Sequence, residues 1–93
     1  MKPDEIFKKC AELRKLQPEL IHRVYYDFGR FIQECVDYYV FGKLPTDKNI
    51  GEFLSFYSYK RLHPPDPQNF NDYLKLFLRF YEYQFEVIND EQA

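Results

Sequence analysis

From Phe70 to Ile88 the chain carries two interleaved apolar stripes at helical spacing. Phe70, Leu74, Phe77, Leu78, Tyr81, Phe85 and Ile88 fall on one, and Tyr73, Leu76, Phe80, Tyr83 and Val87 on the other. Asp72, Lys75, Arg79, Glu82 and Glu86 are confined to the arc that remains. On a helical wheel the apolar arc covers about 220°, where an ordinary surface helix needs a stripe of about 100° or slightly more. Such a helix has to be covered on two sides. It is central to a bundle, or it is half of an interface.

The rest of the chain supplies helices to cover it. Breakers divide the sequence into four helical segments, over about residues 3–16, 19–41, 49–62 and 70–89. Pro3 suits a first turn, where its missing N–H costs nothing, and Asp4 and Glu5 complement the helix dipole. Ile6, Phe7, Cys10 and Leu13 then share a face. Pro18 closes this segment and opens the next, whose apolar residues run from Leu20 and Ile21 through Val24, Phe28, Phe31, Ile32 and Cys35 to Tyr39. They occupy an arc of about 120°. Gly29 lies at the edge of that arc and predicts a close helix crossing. Gly42 supplies a stop, followed by a loop over 44–48.

Asn49 and Glu52 have the spacing of a capping box for the third segment, with Asp47 as a competing cap. Ile50, Phe53, Leu54 and Tyr57 form its inward face, and Gly51, Ser55 and Ser58 a narrow face open to another backbone. His63, Pro64, Pro65, Asp66 and Pro67 read as a stiff extended connector. Asn69 or Asn71 caps the last helix. The expectation is an all-α, single-domain bundle over residues 1–93, up-down-up-down, with the fourth helix against the second and third. A chain of 93 residues should have a radius of gyration of about 12 Å.

Chemistry is sparse. Glu19 and His22 have the Glu-x-x-His spacing of di-iron bundles, but no second pair exists and His63 sits in the proline connector. Cys10 and Cys35 lie on apolar faces, where burial blunts a thiol, and neither belongs to a CxxC pair. Ser55 and Ser58 occupy no nucleophile elbow, and the isolated Gly29, Gly42 and Gly51 form no phosphate loop. Pro64 and Pro67 spell P-x-x-P, which between two helices is a rigid turn. No catalytic residue, metal or cofactor is expected. Formal charge is −2, which gives no global support to nucleic-acid binding. No run of the roughly 18 apolar residues of a membrane span occurs, nor a signal-peptide core. The expected setting is soluble and cytoplasmic.

What the sequence has in surplus is aromatic surface. Its 10 Phe and 9 Tyr represent on the order of 4,000 Å² of side chain, while a folded chain of this mass exposes only about 6,000 Å². Several must reach the surface. Tyr26, Tyr38, Phe56 and Tyr59 point away from the inward arcs of their helices. The function expected is therefore a non-enzymatic protein–protein interaction module, a small adaptor or inhibitor-type regulator. Its interface is expected at Phe56, Tyr59, Tyr73, Leu76, Phe80, Tyr83 and Val87, with a homodimer through the last helix as one outcome. The alternative is a helical nucleic-acid-binding regulator using Lys8, Lys9, Arg14 and Lys15.

Overall fold

A computed structural model of the chain describes residues 2–59, 65, 66 and 68–87, and the side chains of all of these but Ser58, Tyr59, Glu86 and Val87. Four α-helices are present among them and no strand: α1 (Pro3–Leu13), α2 (His22–Phe41), α3 (Lys48–Tyr59) and α4 (Phe70–Tyr81). A 3₁₀ turn, Pro18–Leu20, precedes α2, and a π-helical stretch, Glu82–Val87, continues α4. The radius of gyration is 13.1 Å and the solvent-accessible surface 6624 Å². His63, Pro64, Pro67 and Ile88 lie outside the described residues.

Each boundary has a local cause. Helix α1 stops at Leu13 rather than near Leu16 because Lys15 takes a left-handed conformation, φ 59°. The turn is closed by the Leu16 amide donating to the Ala11 carbonyl at 2.9 Å. The expected second helix opens with a 3₁₀ turn that starts at Pro18, and is α-helical only from His22. At its far end Gly42 adopts φ 69°, and the Gly42 and Lys43 amides both donate to the Asp37 carbonyl, an αL cap that glycine makes without strain. For α3 the cap is Asp47 and not Asn49. The Asp47 carboxylate accepts from the Asn49 and Ile50 amides at 2.9 and 3.2 Å. Asn69 caps α4, its side chain accepting from the Asn71 amide at 3.1 Å.

The core is a continuous cluster of aromatic rings, mostly edge-on or tilted to one another. Phe7 of α1 meets Phe28 of α2, Phe28 meets Phe77 of α4, and Phe31 lies against both Phe77 and Phe80. From α3, Phe53 reaches Phe31 and Phe80. Helix α4 thus touches all three others. Its backbone runs closest to α1, which the sequence did not single out as a neighbour, and approaches α2 as well. Both apolar stripes of α4 are inside: Tyr73, Leu74, Leu76, Phe77, Phe80 and Tyr81 are all buried. Phe70, at the open end of the first stripe, is more than half exposed.

Two expectations of close packing fail for the same reason. Gly29 is on the solvent side of α2, and a Cβ there would meet nothing within 4 Å. At Gly51 the nearest atom is the Pro45 Cβ, at 3.9 Å, so the loop and not another helix lies over this glycine. With aromatic side chains filling the space between helices, backbones are kept apart and no glycine contact is needed.

Candidate functional site

Of the seven residues expected at an interface, Tyr73, Leu76 and Phe80 lie in the core. This corrects the proposed seam: these three side chains pack within the monomer and cannot meet a second copy. The cause is the width of the apolar arc. Phe80 stacks on Phe31 with ring centroids 5.2 Å apart and meets Phe53 edge-on at 5.4 Å, so the second stripe is taken up by α2 and α3. Tyr83 is half-buried against Phe53 and Phe56. Phe56 remains partly open to solvent, as its place on the outer side of α3 implies. The side chains of Tyr59 and Val87 lie outside the described set. Tyr26 is exposed, while Tyr38 is half-buried, its ring edge-on to Tyr39 at 5.0 Å.

Other exposed apolar groups lie close together in sequence. Val40, Phe41 and Leu44 are 47, 66 and 83% exposed at the end of α2 and in the loop after it. Leu44 and Pro45 also line a shallow groove of about 470 Å³ with Tyr38, Lys48, Gly51, Glu52 and Ser55. The loop is held in place by Glu34, whose carboxylate accepts from the Thr46 amide at 3.0 Å, the Thr46 hydroxyl and the Asp47 amide at 3.2 Å. Sequence reasoning missed this patch because the residues straddle a helix end, where periodicity stops assigning faces.

A second feature is polar. Arg14, just after α1, donates through Nη1 to Asp27 Oδ2 of α2, and the Tyr81 hydroxyl donates to the same oxygen at 2.7 Å. Arg14 Nη1 also lies 3.4 Å from the Tyr81 hydroxyl. The basic face expected of Arg14 with Lys8, Lys9 and Lys15 loses this member, which is committed to the half-buried carboxylate of Asp27. Burial, and then the bond to the Asp27 carboxylate, push the Tyr81 hydroxyl well above its ordinary range. These groups form one wall of a cleft of about 280 Å³ that continues to Arg30, Asp47, Asn49 and Gln84, with Ile50, Phe80 and Phe85 as its apolar surface.

The remaining chemistry-bearing side chains are quiet. Burial pushes the Cys10 and Cys35 thiols up to about 12. Both are free and fully buried. The Tyr73 hydroxyl is buried with no hydrogen-bond partner among the described residues. Among the described residues no group of three or more His, Cys, Asp or Glu side chains could hold a metal ion, and no helix is long and apolar enough to cross a membrane. No family model matches the chain, and neither a curated protein nor a solved structure matches it.

Proposed function

We propose that the chain is a non-enzymatic protein–protein interaction module, a small adaptor or inhibitor-type regulator, and that its docking surface is the end of α2 with the following loop. The observation that carries this reading is the trio Val40, Phe41 and Leu44. Three large apolar side chains within five residues stay in water although the core offers ample aromatic contact. Leaving them there forgoes about 1.5–3 kcal/mol for each side chain that could be buried. Contiguous exposed apolar surface beside a groove is what a partner covers. Phe56, on α3, is also exposed and pairs with half-buried Tyr83, ring centroids 5.2 Å apart.

The loop is also built to be presented. Glu34 clamps Thr46 and Asp47, and Gly42 fixes the turn, so Leu44 projects from an ordered segment and little conformational entropy is lost on docking. The test is retention of partners from an extract of the native host, identified by mass spectrometry, with three baits. Wild type and Tyr26→Ser, which removes an exposed ring elsewhere, should retain the same protein. Phe41→Ser/Leu44→Ser should fold normally by circular dichroism and lose it. Retention should also survive high salt, since apolar contact is nearly indifferent to screening. Equal retention by the double variant, or loss with salt alone, would count against this surface.

A further inference from the structure

We propose that the cleft between the end of α1, α2, the start of α3 and the π-helical turn binds a small zwitterion with an apolar side chain, of the class of a free aliphatic or aromatic α-amino acid. The charged lining consists of two arginines and two aspartates, Arg14 with Asp27 and Arg30 with Asp47. Among the described lining residues the formal charges sum to zero, so the cleft has no net charge favouring a lone anion or a lone cation, and both signs are at hand for a molecule that carries both. The two pairs differ in kind. Arg14 and Asp27 are joined directly, with Tyr81 completing the cluster. Arg30 and Asp47 stand 3.6 Å apart, beyond hydrogen-bond range, with side chains 51 and 26% exposed.

That looser pair has its bonding capacity open on both sides. Arg30 makes no hydrogen bond to the described residues, leaving a planar fork suited to a carboxylate. Asp47 uses Oδ1 to cap α3, while its Oδ2 faces Arg30 and accepts no hydrogen bond from the described residues, which leaves it able to accept from an ammonium group. Beside these polar ends lie Ile50 and Phe80, both buried, and Phe85. An apolar surface with a few converging polar groups is the ordinary make-up of a ligand site, and about 280 Å³ falls just below the roughly 300–1,000 Å³ of sites for drug-sized ligands, which suits a smaller molecule. The backbone adds a separate observation. Residues 82–87 are π-helical, a conformation that is rare because it widens the turn and that recurs at functional sites. This turn places Gln84 and Phe85 on the cleft.

The test is a titration of the full chain followed by ¹H–¹⁵N spectra, with L-phenylalanine, L-leucine, 3-phenylpropionate and 2-phenylethylamine as probes. The two amino acids should give saturable shifts at Asn49, Ile50 and Gln84, with dissociation constants in the millimolar range, and the single-charge analogues should bind at least about tenfold more weakly. Arg30→Gln, at a half-exposed position, should leave the spectrum folded and remove the saturable shifts. No saturable shift with either amino acid would overturn the proposal. So would equal binding of 3-phenylpropionate, which would make the cleft a plain anion site, or undiminished binding by a folded Arg30→Gln. If Arg30→Gln fails to fold, Arg30→Lys takes its place: it keeps the charge without the fork and should weaken binding about tenfold or more.

Discussion

Gly29 sits in the middle of a 20-residue helix with open space where a Cβ would be. Glycine in that position costs about 1 kcal/mol relative to alanine, through backbone entropy with no packing in return. Gly29→Ala should therefore stabilise the fold by about 1 kcal/mol, raising the thermal midpoint by about 4–8 °C for a domain of this size. A loss of stability would mean that something approaches this face of α2 after all. The Tyr73 hydroxyl offers the opposite case, a group whose removal should help. It is buried and has no partner among the described residues, and an unsatisfied buried hydroxyl costs about 1–3 kcal/mol. Tyr73→Phe should gain about 1 kcal/mol in urea denaturation, and a comparable loss would show that an ordered water satisfies the hydroxyl.

At the scale of elements, α4 decides whether the fold forms at all. Phe80 touches Phe31, Phe53 and Tyr81 from α2, α3 and its own helix. Phe80→Ala should cost about 3–5 kcal/mol. Phe80→Glu places an unpaired charge in the core and should abolish the cooperative unfolding transition. A folded Phe80→Glu monomer would be the behaviour of an intermolecular seam instead, and circular dichroism with light scattering distinguishes the two. The existence of the four helices was legible in the sequence because apolar spacing and the breakers Pro18, Gly42 and Pro45 agree with each other. The breadth of the apolar arc on α4 was legible too, but not which stripe meets what. A stripe surrounded by helices and a stripe facing another copy have the same spacing. The Arg14–Asp27–Tyr81 cluster was invisible for a different reason: its members are 13 and 54 residues apart, and no local pattern encodes that pairing. Lys15 hid the true end of α1 because nothing in its identity announces a positive φ.

The whole molecule should respond to alkali as a unit, because its buried acids are weak ones distributed through the core. Cys10 is on α1, Cys35 on α2, and both thiols are pushed from 9.0 to about 12, above all by burial. Tyr39 and Tyr81 are raised above the ordinary 10.0 of a phenol, first by burial. All four shifts have the same sign. In the unfolded chain the thiols release protons near pH 9 and the phenols near 10, while the folded chain holds them to higher pH. Above about pH 9 the unfolded state therefore binds fewer protons than the native state, so stability falls as pH rises. The contribution is fully present below that point and is lost progressively as pH approaches 12. Urea midpoints measured at intervals from pH 7 should be insensitive to these four groups up to about 9 and then decline steeply. Cys35→Ala tests the assignment through slope, not absolute stability, because the smaller side chain also leaves a cavity. Its midpoint should fall less steeply between pH 9 and 12 than that of the wild type, and an unchanged slope would place the alkaline loss with other groups.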